Sequence, residues 1–270
     1  MDTSPATARQ TLSVAMIARN EERILARSLS AVQWAEEIVV VDSGSTDRTP
    51  EIAREHGAKH SFHLDFRGIA EQKNVAIARC TCEWVLLVDA DEVLTPELAE
   101  AIQRELAEPQ HDAYFLPRLN LFLGRWMRHG GQYPDWKLRL VRRKLAHVDE
   151  TIGPHGTAIA PPSTGRVHGD MLHYGYPKFH GYLAHMNSYS TDAVPHYLRT
   201  HPRSTKTGLL LHAFLNPLHS FVVNYGLRGG FLDGIEGLIF HLNHAAYVHW
   251  KYVKAWRVLC GGEQVGGPTS

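Results

Sequence analysis

Short aliphatic runs alternate with amphipathic stretches over the first hundred or so residues. Residues 11–18 (TLSVAMIA), 37–41 (EIVVV), 59–63 (KHSFH) and 83–88 (EWVLLV) predict four strands. Runs this short, with apolar residues at consecutive positions, suit strands buried on both faces of a parallel sheet. Helical spacing falls between them. Ile24, Leu25, Leu29 and Val32 share one face, and residues 49–56 end on Gly57 as a C-cap. Residues 68–79 turn Ile69, Val75, Ala76 and Ile77 inward, and residues 96–107 open on Pro96, whose missing N–H costs nothing in a first turn. Regular alternation of strand and helix predicts an α/β fold: a Rossmann-like, mostly parallel central sheet with flanking helices.

The pattern changes after residue 111. Residues 112–116 and 137–141 read as strands, the second alternating, with Gly130-Gly131 and Tyr133-Pro134 in a loop between them. Residues 166–173 (RVHGDMLH) alternate as an edge strand would. From Tyr174 the strand signals fade and helices are expected over 180–198, 209–224 and 234–259. In the last of these Ile235, Ile239, Leu242, Ala246, Val253 and Trp256 fall on one face. The expected organisation is a tail (1–10), a ligand-binding half-domain (11–110), a second half-domain (111–175), a C-terminal helical region (176–260) and a tail (261–270).

Composition narrows the class. Lys plus Arg and Asp plus Glu number 28 each in 270 residues, so no global basic field recruits nucleic acid. Cys80, Cys82 and Cys260 have no zinc-ligand spacing, and a reduced, cytoplasmic setting fits. The polar first ten residues lack the apolar core of a signal peptide. No apolar stretch approaches the ~20 residues of a spanning helix. The C-terminal third nevertheless mixes Trp, Tyr and Phe with His, Lys and Arg. It suits a surface lying at lipid headgroups, with a packed helical subdomain or dimer interface as the alternative.

Candidate chemistry concentrates where Trp84-Val85-Leu86-Leu87-Val88 runs into Asp89-Ala90-Asp91-Glu92. In open α/β sheets ligands bind at the carboxyl edge of the strands, and the loop after Val41, from Asp42 to Asp47, shares that edge. Two Asp one residue apart offer hard oxygens to Mg²⁺ or Mn²⁺, which in turn hold a diphosphate. A solvated acidic turn is the alternative. The first strand leads into Ala18-Arg19-Asn20-Glu21-Glu22 with no glycine fingerprint, and no P-loop occurs. Phosphates would therefore be handled by metal and side chains.

These pieces together resemble the inverting glycosyltransferases of family two, which have the GT-A fold. The matching residues are Arg19-Asn20-Glu21-Glu22, Val39 through Asp47, Gln72-Lys73-Asn74 and Asp89-Ala90-Asp91-Glu92. Farther on, Phe122-Leu123-Gly124-Arg125-Trp126 and the stretch from Gly131 to Leu140 resemble a subgroup containing lipopolysaccharide core β-glucosyltransferases. The resemblance implies that Asp42 contacts the uracil and Glu21 holds the nucleoside. It places Lys73 near the diphosphate, Asp89 at the ribose or metal, and Asp91 as main ligand of a divalent cation, Mg²⁺ or Mn²⁺.

Asp135, in a Gly/Tyr/Pro loop before a strand, is the expected catalytic base, with Asp149 and Glu150 in reserve. Arg139, and less so Arg142 and Arg143, would meet phosphate. His155 is followed by Gly156 where relatives often have a His-Glu pair, so its part is reduced to reaching the metal or diphosphate. His168 and His173 read as structural, and His241 and His244 lack a third ligand.

The implied partners are a nucleotide-sugar donor, UDP-glucose, and a lipid-linked saccharide acceptor. The site of action would be the cytoplasmic face of the inner membrane, by peripheral contact. Transfer to a polyprenyl phosphate or surface-polysaccharide intermediate is the alternative within the class, and a non-catalytic nucleotide- or lipid-binding shell lies outside it.

Overall fold

A computed structural model describes residues 10–149, 157–176 and 178–261. Two compact units emerge. The first contains the described residues up to Leu119, together with 135–149 and 157–175, and the second contains 120–134 and the described residues from 176 onward.

In the first unit the alternating half is built as expected. Strands β1 (Leu12–Ala18), β2 (Glu37–Asp42), β3 (Lys59–Phe62) and β4 (Trp84–Asp89) are joined through helices α1 (Leu25–Ser30), α2 (Thr49–Glu55) and α3 (Ile69–Ala78). The strands pair in parallel, in the order β3-β2-β1-β4. Their unbroken apolar runs are explained by two buried layers. Leu12, Val14 and Met16 of β1, Ile38 and Val40 of β2, and Trp84, Leu86 and Val88 of β4 pack with Leu25, Leu29 and Ile52 on one face. Ala15, Val39, Val41, Val85 and Leu87 pack with Ala70, Ala76 and Ile77 of α3 on the other. Two buried polar residues of the neighbouring strands are satisfied there. The Glu37 carboxylate accepts from the Ser13 hydroxyl, from Lys59 Nζ at 2.5 Å and from the Thr81 amide at 2.7 Å.

Beyond β4 the chain reverses. A three-residue strand, β5 (Glu92–Leu94), which the sequence pattern does not announce, leads into α4 (Pro96–Ala107), capped by the Thr95 hydroxyl. Strand β8 (Asp135–Arg142) extends the sheet antiparallel to β4, and β6 (Ala113–Phe122) pairs antiparallel with β8. The short β7 (Arg125–Trp126) folds back on the end of β6, and β9 (Val148–Asp149) pairs with β10 (Thr157–Ala158). The single edge strand expected over 166–173 is two strands. Gly169, at φ +126°, separates β11 (Thr164–Arg166), parallel to β6, from β12 (Met171–Tyr176), antiparallel to β5. A Cβ on Gly169 would lie 2.6 Å from Leu98 Cα, so only glycine lets the chain pass α4 there.

In the second unit the described residues from 178 onward are helical, as expected. Helices α5 (Phe179–Thr200) and α6 (Lys206–Phe221) pack on α7 (Gly234–Leu259), with Val194, Leu209, Ala213, Tyr252 and Ala255 at the contact. Between α6 and α7 lie a π turn (Val222–Leu227) and a 3-10 turn (Gly230–Asp233). His241, half of the discounted His pair, is buried beside Gly130 and Gly230. Among the described residues no helix is long and apolar enough to cross a membrane.

Candidate active site

Sheet register brings the first candidates together. Ala18 pairs with Asp42 across β1 and β2, while Ile17 pairs with Asp89 across β1 and β4. Asp42, Asp89 and the loop after β1 therefore share the carboxyl edge, where ligands of open α/β sheets bind. The first loop is stitched to the second. Asn20, at φ +57°, donates its amide to the Ser45 hydroxyl and accepts from the Thr46 amide. The Glu21 amide donates to the Thr49 hydroxyl at 2.7 Å, and the Glu22 amide to Asp47 at 3.1 Å.

Asp42 is fully buried and organises this edge from beneath. Its Oδ1 accepts from the Gly44 and Ser45 amides at 2.8 and 2.7 Å, and its Oδ2 faces His60 Nε2 at 3.3 Å. Both carboxylate oxygens are engaged within the protein.

Asp89 and Asp91, one residue apart, stand in opposite surroundings. Asp89 is held by cations: Lys73 Nζ at 2.8 Å from Oδ1 and the Arg139 guanidinium at 2.8 Å from Oδ2. Burial alone raises a carboxyl pKa, but Arg139 and Lys73 outweigh it and hold Asp89 well below the usual range. Asp91, past the turn, faces His173 Nε2 at 3.3 Å. Glu21 feels this second group. Burial, and then the Asp91 charge, push its carboxyl up to about 7.

His173 arrives through β12, whose register sets it opposite Glu92 while the Tyr174 amide donates to the Asp91 carbonyl at 2.9 Å. A Cβ on Gly175 would lie 2.5 Å from the His173 ring and 3.2 Å from Asp91 Oδ2. Only glycine leaves that space open.

A ladder of alternating charge continues from Asp89. Arg139 also meets Glu92 at 2.6 Å, Arg118 meets Glu92 at 3.5 Å and Asp135 at 2.8 Å, and Lys137 meets Asp135 at 3.0 Å. Asp135, Lys137 and Arg139 share one face of β8 because strand side chains alternate. Burial raises the Asp135 carboxyl, but Arg118 and Lys137 outweigh it and the net shift is downward. Glu92 is fully buried and Arg139 nearly so.

The sequence reading thus missed Arg118 and Lys137 as members of the site, gave Glu92 of the acidic cluster no role of its own, and took His173 as structural. Arg118, in the middle of an apolar strand, and the every-second-residue spacing on β8 were the available signals. Arg142 pairs instead with Asp112 at 2.9 Å, and the Arg143 side chain donates to the Cys82 carbonyl. Asp149 lies in the β9–β10 pair. Glu150 and His155 fall outside the described residues.

Residues 13–158 match the profile of glycosyl transferase family 2. The protein is a glycosyltransferase, and the chain belongs to that family. The lipopolysaccharide core biosynthesis glycosyltransferase LpsC of Rhizobium meliloti (strain 1021) is 27% identical over 252 residues, 91% of this chain and 92% of its own. An uncharacterized glycosyltransferase of Rickettsia typhi, RT0209, is 27% identical over 244 residues, 85% of this chain and 82% of its own. Among solved structures, a mannosyltransferase of Pyrobaculum calidifontis in complex with GDP-Man and Mn²⁺ superposes with a TM-score of 0.55 at 18% identity, covering 94% of this chain and 89% of that one. This likeness supports the GT-A fold.

Proposed function

We propose that this glycosyltransferase is an inverting, cation-dependent hexosyltransferase. In this reading it transfers glucose from UDP-glucose to a hydroxyl of a lipopolysaccharide core or other lipid-linked saccharide, working peripherally at the cytoplasmic membrane face. The observation that carries the reaction type is the division of the strand edge. The carboxylates of Glu21 and Asp91, with the His173 imidazole, lie beside the Lys73–Asp89–Arg139 group. The acceptor class draws on the likeness to LpsC along nearly the whole chain.

The donor set fits Mg²⁺ or Mn²⁺. Asp91 supplies a hard carboxylate and His173 an imidazole nitrogen, with Glu21 near enough to feel the Asp91 charge. Among the described residues no three such ligands converge, which leaves positions for water and for the donor's phosphate oxygens, as is usual for Mg²⁺. Bound there, a divalent cation would stabilise the charge that builds on the departing diphosphate. Asp89 enters this reading through Lys73 and Arg139 and not as a direct ligand, since both its oxygens face cations. Lys73 is placed to answer phosphate charge.

The acceptor hydroxyl attacks the anomeric carbon, the bond from that carbon to the diphosphate oxygen breaks, and the hydroxyl proton needs a base. Asp135 is assigned that part. Its pairing with Arg118 and Lys137 makes it a weak base in the resting site, so proton transfer falls late, when the attacking oxygen is already acidic.

The test is UDP release and product mass in the presence of Mn²⁺ or Mg²⁺ and an acceptor extract. Asp91→Asn should lose at least a hundredfold in turnover. Asp135→Asn should keep UDP binding and lose transfer. Full turnover by Asp91→Asn removes the cation assignment, and full transfer by Asp135→Asn moves the base elsewhere.

A further inference from the structure

Helix α6 carries an apolar stripe that nothing in its own unit covers. Leu211, Phe214, Leu215, Leu218 and Val222 recur at the three- and four-residue spacing of one helix face. They are 57%, 68%, 53%, 63% and 49% exposed. The inward side of the same helix is accounted for separately: Leu209 and Ala213 are buried against α7, and Asn216 donates to the Tyr252 hydroxyl at 2.8 Å. The stripe continues in chain order through Leu227, Phe231, Leu232 and Ile235, all at least half exposed. Single exposed apolar residues are ordinary on a soluble surface, whereas five large ones on one helix face, each about half exposed or more, mark an interaction surface.

The charge around the stripe has one sign. From Ala193 to Leu232 the sequence contains no Asp or Glu, while Arg199, Arg203, Lys206 and Arg228 all occur there. All four are exposed, with Arg203 and Lys206 at the start of α6 and Arg228 just beyond its end. The next two acids are Asp233, buried against His129 at 2.7 Å, and Glu236. An apolar face with cations at both ends, on a helix too short and polar to span, is the arrangement of an in-plane interfacial helix.

Two lysines of α7 are engaged within their own unit. Lys254 donates to the Asn187 carbonyl and to the Ser190 and Thr191 hydroxyls. Lys251 lies over the Tyr197 and Tyr252 rings.

We infer that the outer face of α6, with the segment through Ile235, is the docking surface of this enzyme on an anionic lipid leaflet. The stripe sinks to the acyl boundary while Arg203, Lys206 and Arg228 lie among acidic headgroups. This deepens the proposed peripheral action, but its geometry is independent of the donor, cation and base assignments.

The experiment is cosedimentation of the full chain with vesicles of phosphatidylcholine alone or with added phosphatidylglycerol, at low and high salt. UDP release from the donor in solution and oligomeric mass are measured on the same preparations. The wild type should bind the anionic vesicles at least tenfold better than the neutral ones and lose that margin in high salt. Phe214→Ser with Leu218→Ser should lose at least tenfold in partition with UDP release unchanged. Arg203→Gln with Lys206→Gln should lose severalfold, only at low salt.

Wild-type failure to bind anionic vesicles overturns the inference, as does equal binding by the Phe214→Ser, Leu218→Ser variant. A wild-type dimer that this variant converts to monomer assigns the stripe to a second copy and also overturns it. Loss of UDP release in catalytic variants with vesicle binding intact bears on the proposed reaction and not on this surface.

Discussion

Arg139 holds a buried carboxylate, Glu92, and a partly buried one, Asp89, which makes it the most informative single residue to remove. One guanidinium nitrogen lies 2.8 Å from Asp89 Oδ2 and 2.6 Å from Glu92 Oε1. Arg139→Met keeps much of the stem's packing and deletes the charge. Breaking a buried ion pair on one side costs about 3–5 kcal/mol, because the partner remains buried and uncompensated. Here the partners keep some support: Lys73 still meets Asp89, and Arg118 still faces Glu92 at 3.5 Å. The lower end, ~3 kcal/mol, is therefore expected. For a unit of this size it corresponds to a fall in Tm of roughly 6–12 °C.

The pH dependence separates this cause from simple loss of packing. In the native protein Asp89 is held well below its ordinary pKa. A depressed carboxyl contributes stability that is present above its unfolded value, near 4, and is lost as pH falls through the folded one. Without Arg139 the Asp89 value moves upward and that contribution disappears. The variant's deficit should then be full at pH 5 and above and narrow on acidification towards pH 3. Glu92→Gln in the Arg139→Met background should recover part of it. Urea unfolding followed by circular dichroism at both pH values is the assay. A deficit under about 1 kcal/mol, or one of equal size at pH 5 and 3, would refute the reasoning.

Three further outcomes are expected. Burial raises the Glu37 carboxyl, but its bonds from Lys59, Ser13 and Thr81 outweigh this and lower it to about 2. Its stabilisation should therefore be complete above pH 4.5 and fade as pH falls towards 2. Screening at the exposed Lys59 limits its size to ~1–2 kcal/mol, and Glu37→Gln should flatten the urea midpoint across that window. Gly175→Ala places a Cβ 2.5 Å from the His173 ring, so Mn²⁺ affinity measured by calorimetry should fall about 10–100-fold with the circular dichroism spectrum unchanged. Glu21, pushed up to about 7, is neutral below that pH and charged above it, so Mn²⁺ affinity should rise through pH 7 with proton release; Glu21→Gln should abolish the release, read in two buffers of different ionisation enthalpy.

Much of the fold is legible in the sequence because the parallel half is built from local signals. Continuous apolar runs such as Val39-Val40-Val41 and Trp84 through Val88 are required by strands with a helix layer on each face. Asp42 and Asp89 were found as neighbours of the same edge because each closes such a run. What escaped depends on long-range register. Nothing local in RVHGDMLH says that β12 pairs antiparallel with a three-residue strand eighty positions earlier, and that pairing alone carries His173 to Asp91. The role of Arg118 was hidden likewise, since its partners Glu92 and Asp135 lie on other strands. Helical spacing marks an apolar face, but it does not say whether a neighbour covers it. Tyr252 and Ala255 of α7 are covered, while the larger open stripe is on α6.

The contrast between Asp89 and Asp91 bears on how such a site works. Strand alternation and one tight turn send two carboxylates of the same motif into opposite fields. Asp89 joins a ladder in which Lys73, Arg139, Arg118 and Lys137 alternate with Asp89, Glu92 and Asp135, leaving one positive charge in excess. Asp91 joins Glu21 and Asp47 on a side where negative charge is in excess and raises the Glu21 pKa. Two identical groups with different surroundings can carry different roles in one reaction. In the proposed reading a diphosphate needs both fields, a bound cation on the acidic side and Lys73 on the basic one. Rigidity follows from the same arrangement. Every charge in the ladder is held by its neighbours before any ligand arrives, so little reorganisation remains when charge develops on the leaving group.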